Sequence, residues 1–152
     1  VVTGSLDMTA KLWDPMNLDC IATLDCVGDS VMALEAVGSW VLCAGTNSIK
    51  IWELASRRLY RILDGCRFPI LWQDGLLYCA TYDIPQNIQV WDASSADPQE
   101  WSVLEILKNH QAEVTALCWF QQSLLSASVD RTIALWQAPR KTGVVLDKRH
   151  DE

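Results

Sequence analysis

His110, Ser126 and Asp130 are the residue types of a hydrolytic triad: a base, a nucleophile, and a carboxylate that would orient the base. Such chemistry needs a serine raised on a sharp turn beside an oxyanion-binding loop. Ser126 instead lies mid-strand, with no G-x-S-x-G elbow and no recognisable oxyanion loop around it. Metal chemistry has less to start from. The six cysteines (Cys20, Cys26, Cys43, Cys66, Cys79 and Cys118) contain no C-x-x-C pair, and only two histidines are present to complete a ligand set. The seven glycines form neither G-x-G-x-x-G nor a P-loop, so nothing cradles a nucleotide phosphate. No catalytic residue, metal or cofactor is assigned.

The elements that must position these side chains emerge from self-similarity. Segments 3–14, 43–53, 79–92 and 126–137 each close on a tryptophan, at Trp13, Trp52, Trp91 and Trp136. These are spaced 39, 39 and 45 residues apart, the range expected for sheets repeated around an axis. Within one period, 31–36, 40–44, 49–52 and 58–63 alternate or run apolar between turn clusters, which predicts four short strands. Apolar residues at three- and four-residue spacing over ten or more positions are absent, which argues against helical solenoid repeats.

Composition agrees with a globular chain. Of 152 residues, 50% are apolar and 20% charged, and eight tryptophans stand against three tyrosines and two phenylalanines. The longest charge-free stretch, 114–129, is 16 residues and too short for a membrane span. The net charge of −7 repels phosphate backbones and anionic lipid, so nucleic acid and membrane are unfavoured partners. Cys43, Cys79 and Cys118 sit in apolar runs, where free cysteine packs as a small hydrophobe, so the cysteines are read as reduced thiols of a cytoplasmic or nuclear protein.

The period, the Trp-Asp endings at Trp13-Asp14 and Trp91-Asp92, and Ser126-x-Ser128-x-Asp130 followed by Trp136 resemble WD-repeat proteins over the whole chain. The resemblance implies an all-β propeller of four-stranded antiparallel blades. Over residues 1–152 it implies a partial propeller of about four blades, with segments near 1–24, 28–63, 66–107 and 112–149. In the family pattern His110, Ser126, Asp130 and Trp136 match a structural tetrad joined by hydrogen bonds, and Thr3, Asp7 and Trp13 match it in the first repeat. Trp52 closes the second repeat, while Asp83 and Trp91 belong to the third. The middle repeats depart from the pattern: the histidine position falls near Val27 and Ile62, and the hydroxyl position becomes Cys43 and Cys79. These two blades are expected to rely on apolar packing. Pro69 and the insertion 84–86 predict a short or bulged inner strand and an enlarged turn in the third.

The resemblance also implies one face of the disc that receives peptides. Leu6, Thr46, Tyr82 and Val129 precede the aspartate position and point into it, joined by Arg67, Phe68, Gln111 and Glu113 from the connections between blades. Tyr82 and Phe68 are the aromatic anchor candidates. The basic runs at Arg57, Arg58 and Arg61, at 140–141 and at 148–149 fall beside outermost strands, where charge blunts an edge; RNA or an acidic peptide is the alternative use. Of the four tryptophans that close no repeat, Trp72 and Trp101 flank the irregular third blade and are candidates for exposure.

Residues 1–5 match a second strand, and 144–149 an outermost strand with His150 where another repeat's histidine would stand. The chain therefore reads as an arc whose partners include the remainder of the same propeller, and alone it is expected to oligomerise or aggregate. The expected function is a non-enzymatic scaffold for one or more protein partners. The alternative is an RNA-associated propeller of a larger zinc-finger protein, because 3–24 and 114–136 are similar to repeats of plant CCCH zinc-finger WD-repeat proteins.

Overall fold

A computed structural model describes residues 1–83 and 87–137. The insertion 84–86, the basic runs at 140–141 and 148–149, the strand expected at 144–149 and His150 lie outside the described residues. Fourteen strands are described, and they pair antiparallel with their sequence neighbours into four sheets. The first holds β1 (Val2–Gly4), β2 (Thr9–Trp13) and β3 (Cys20–Asp25). The second holds β4 (Ala33–Val37), β5 (Trp40–Ala44), β6 (Ser48–Glu53) and β7 (Arg58–Asp64). The third holds β8 (Cys66–Gln73), β9 (Leu76–Thr81), β10 (Ile88–Asp92) and β11 (Ser102–Leu107), and the fourth β12 (Val114–Phe120), β13 (Ser123–Ser128) and β14 (Ile133–Gln137).

The apolar runs are explained by burial on both faces of the middle sheets. On β5, Val41 and Cys43 pack with Ala10, Leu12 and Leu24 of the first sheet, while Leu42 and Ala44 pack with Ile70, Leu77 and Trp101 of the third. β9 repeats this one sheet later. Leu77 and Cys79 face the second sheet, and Leu76, Tyr78 and Ala80 join Val114 and Leu124 of the fourth. A strand covered on both sides loses the polar half of its alternation and reads as continuous apolar sequence. The outermost strands β7 and β11 are mostly exposed, and β7 carries Arg58, Arg61 and Asp64.

In each of the first three sheets the closing tryptophan sits at a register shift against the outermost strand, where Trp13 opposes Cys20, Trp52 opposes Leu59, and Trp91 opposes Val103. Such a bulge bends the outer strand and increases local twist. Neighbouring sheets are also tied through backbone: Val31 N–H donates to Ser5 O and Phe68 N–H to Gly45 O, both at 3.0 Å. The inner strand of the third sheet is bulged between Arg67 and Ile70, at Phe68 and Pro69, yet is eight residues long.

Among the described residues, no helix is long and apolar enough to cross a membrane, and no group of three or more His, Cys, Asp or Glu side chains could hold a metal ion.

Candidate functional site

The fourth sheet holds the polar chain of His110, Ser126, Asp130 and Trp136. Trp136 Nε1 donates to Ser126 Oγ at 2.8 Å, Ser126 Oγ lies 2.7 Å from His110 Nε2, and His110 Nδ1 lies 3.0 Å from Asp130 Oδ2. His110 and Ser126 are almost wholly buried. Ser126 is hydrogen-bonded to both neighbours on an interior strand, which leaves its hydroxyl no open side for a substrate. Asp130 also accepts from Thr132 N–H, Thr132 Oγ1 and Gln111 N–H, at 2.9, 2.6 and 2.9 Å. The Thr132 hydroxyl, ahead of the Gln111 amide and His110, holds the Asp130 carboxyl well below the usual carboxylate range against the opposing effect of burial.

The first sheet repeats part of this geometry. Trp13 Nε1 donates to Thr3 Oγ1 at 2.8 Å, and Asp7 accepts from Thr9 N–H and Thr9 Oγ1. Sequence reasoning missed Thr9, Thr132 and Ser5, and gave no role to Ser128 of the quoted motif; the Ser5 and Ser128 hydroxyls accept from Asp7 N–H and Asp130 N–H. The signal was present: a hydroxyl two residues before and two after each aspartate.

In the middle sheets the hydroxyl positions Cys43 and Cys79 do not face the residues expected. Val27 is exposed, and it is its neighbour Cys26 that is buried in the same cluster as Cys43. Ile62 lies on the outward side of β7, and Cys66 shares a buried cluster with Cys79, both thiols donating to Gln89. Counting at a fixed spacing overshoots because only Gly65 separates β7 from β8. The buried Nε1 atoms of Trp52 and Trp91 have no hydrogen-bond partner among the described residues. Arg61 covers the Trp91 ring at 5.5 Å.

Apolar packing alone does not hold the second sheet. Asp29, buried in the connection before β4, accepts from the backbone N–H groups of Thr46, Asn47 and Ser48 at 2.7, 2.9 and 3.0 Å, and from Thr46 Oγ1 at 2.9 Å. The carboxylate that caps the strand turn thus comes from the connection, whereas in the fourth sheet it comes from the turn itself. Burial would raise the Asp29 pKa, but the Asn47 and Thr46 donors outweigh it and leave it lowered.

Two further expectations fail. Cys118 is exposed, because Leu117 and Trp119 take the inward side of β12 and turn Cys118 to the opposite one. Trp101 is buried, with Trp72 at 5.7 Å between ring centroids. The run at Arg57, Arg58 and Arg61 is not one free basic patch, since Arg61 is bound to the carbonyls of Pro98 and Trp101.

Five of the eight residues assigned to one face, Arg67, Tyr82, Gln111, Glu113 and Val129, converge between the third and fourth sheets. Arg67, Tyr82, Asp83, Gln111, Ala112, Glu113 and Val129 line a groove of about 770 Å³. Tyr82 and Val129 are exposed, 61% and 59%. Arg67 Nη2 pairs with Glu113 Oε1 at 2.5 Å across the two sheets, while the buried Arg67 Nε has no acceptor among the described residues. Phe68 is not part of this groove and packs on the core between the second and third sheets, with Arg67 over its ring at 4.9 Å. Leu6 is exposed at the first sheet's turn, and Thr46 is engaged by Asp29.

Residues 101–137, which contain the His110 to Trp136 chain, match the WD40 family, described as WD domain, G-beta repeat. Over those residues the chain carries a WD40 repeat. Among curated proteins, the chain is 26% identical over 136 residues to zinc finger CCCH domain-containing protein 17 of Oryza sativa subsp. japonica. It is 28% identical over 139 residues to zinc finger CCCH domain-containing protein 62 of Arabidopsis thaliana. It covers 30% and 32% of the lengths of those relatives, with 88% and 87% of its own length aligned. A shorter stretch of 62 residues, 38% of the chain and 16% of the relative, is 39% identical to nucleoporin SEH1 of Osmerus mordax.

Among solved structures the WD40 domain superposes on the computationally designed Ika4 protein with a TM-score of 0.72 at 24% identity, covering 90% of this chain and 83% of that one. The designed Ika8 protein gives 0.71 at 24%, covering 90% and 42%. These propeller neighbours speak to fold alone. WD40 domains generally bind proteins and are typically non-catalytic.

Proposed function

We propose that this WD40 domain is a non-enzymatic docking scaffold whose protein partner enters the groove between the third and fourth sheets. The observation that carries this reading is the groove itself: two exposed apolar side chains, Tyr82 and Val129, stand within a rim of Arg67, Asp83, Gln111 and Glu113. Aromatic anchors inside a polar rim are the usual anatomy of a protein-binding hot spot. With Arg67 and Glu113 paired to each other, Asp83 is the charge left over among the described lining residues, so a segment carrying both basic and apolar residues fits best. The similarity to a nucleoporin supports a cytoplasmic or nuclear location.

A second reading is favoured by the names of the plant relatives: an RNA-associated propeller within a larger CCCH zinc-finger protein. The two separate in one experiment. A peptide library selected on the immobilised domain should enrich basic-apolar sequences that Tyr82→Ala no longer retains. Binding of single-stranded RNA that weakens log-linearly with salt, with no peptide enrichment, would replace the docking reading by the RNA one.

A further inference from the structure

The joints between successive sheets repeat one arrangement of residues. Toward the second sheet, the first presents Val2 opposite Leu12 and Gly4 opposite Ala10. Toward the third, the second presents Leu42 opposite Ile51 and Ala44 opposite Ile49, all buried. Toward the fourth, the third presents Tyr78 opposite Val90 and Ala80 opposite Ile88, also buried. The fourth sheet carries the same quartet at the same register, Leu125 opposite Leu135 and Ala127 opposite Ile133. Leu124 and Ser126 take the inward side of β13, so this quartet alternates to the far side. Among the described residues nothing covers it: Ile133 and Leu135 are 75% and 67% exposed, and Phe120 and Cys118 on the same side of β12 are exposed too.

The receiving half of each joint is repeated as well. The second sheet receives the first with Cys43, Lys50 and Trp52, all buried, Cys43 standing opposite Lys50. The first sheet holds Thr3, Lys11 and Trp13 at the matching positions, Thr3 opposite Lys11. Even the support of the lysine matches, since Lys50 Nζ lies 3.5 Å from Ser48 Oγ and Lys11 has Thr9 at the same offset. Here, however, Thr3 is exposed and Lys11 and Trp13 are only partly buried. The two open faces are therefore complementary halves of one joint, a presenting half on the fourth sheet and a receiving half on the first.

We propose that a second copy of this chain supplies the missing half at each face. The Leu125, Ala127, Ile133 and Leu135 face of each copy packs on the Thr3, Lys11 and Trp13 face of the other, and two such head-to-tail joints close the pair. An exposed apolar sheet face of this kind marks an association surface, and a heterologous contact forms a closed assembly when its rotation closes. The curvature suits closure by two: the arc that matches most of Ika4 matches only 42% of Ika8 equally well, so it also belongs to a fold of more than twice its aligned length. The pairing also covers Cys118. It stands opposite Leu125 as Glu35 stands opposite Leu42, and Glu35 accepts from Trp72 N–H at 3.3 Å across the joint between the second and third sheets. Each copy carries a net charge of −7, so salt screens the repulsion between copies and should strengthen the pairing.

Sedimentation velocity of the chain over a concentration series tests this. The expected result is a monomer–dimer equilibrium that moves toward dimer with added salt. Leu135→Lys alters the presenting face alone and Lys11→Glu the receiving face alone. Each variant should stay monomeric where the wild type is dimeric, and an equimolar mixture should recover a weaker dimer through the one intact joint. A second readout needs no variant: alkylation of Cys118 should slow as the wild-type chain is concentrated. A wild-type monomer at every concentration, a Cys118 that reacts at one rate throughout, or an open series of ever longer assemblies would overturn the proposal. So would a Lys11→Glu variant that still dimerises, since fourth-sheet faces would then be stacked on each other, or a mixture of the two variants that stays monomeric.

Discussion

The carboxylate of Asp29 fills the space that a side chain on Gly45 would need: a Cβ built there would stand 2.1 Å from Asp29 Cγ. The glycine is therefore tied to a hydrogen-bonding role at a residue far from it in sequence. Asp29 caps the turn between β5 and β6, and Gly45 makes room for the cap. A polar network that the fourth sheet builds from its own turn is rebuilt in the second from the connection.

Gly45→Ala is expected to destabilise the domain by about 1–3 kcal/mol through this collision. Asp29→Ala, which strands the Thr46, Asn47 and Ser48 amides, should cost on the order of 2–3 kcal/mol. Combining them should cost much less than the sum, because the alanine at 45 then meets no carboxylate. Urea denaturation of the two single variants and the double variant checks the coupling, and simple additivity would contradict the contact.

Ser126→Ala removes the shared hydroxyl of a buried chain and leaves His110 Nε2 and Trp136 Nε1 without it. The expected loss is about 1–3 kcal/mol of stability. Ser126→Thr, which keeps the hydroxyl, should recover part of it in the same denaturation series.

Acid should loosen the domain at two carboxylates together. Asp29 and Asp130 both have pKa values lowered in the folded chain, so each contributes stability above its unfolded value of about 3.9. That contribution disappears as pH falls from there through the folded value. The unfolding midpoint should therefore drop below about pH 4, and Asp29→Asn and Asp130→Asn should each be less stable at neutral pH with a shallower acid dependence.

Much of the fold was legible because propeller-like packing writes itself into composition. β5 and β9 lie between two sheets and therefore read as apolar runs, while tryptophan recurs where each outer strand bulges. The groove residues were legible in part, since Tyr82 and Val129 hold a fixed offset within the repeat. What escaped was set by connection length. Asp29 has no fixed distance to the turn it caps, and a one-residue connection at Gly65 brings Cys66, not Ile62, into the buried cluster that holds Cys79. Cys118 misled because an apolar run does not say which side of a first strand is covered.

We propose that a protein segment docks between the third and fourth sheets. Titration of a library-selected peptide against the wild-type domain and against Tyr82→Ala tests it most directly. Because Tyr82 is 61% exposed, its truncation should leave the unfolding midpoint unchanged while weakening peptide binding by about tenfold or more. Equal affinity for both proteins, with the variant folded, would contradict the account.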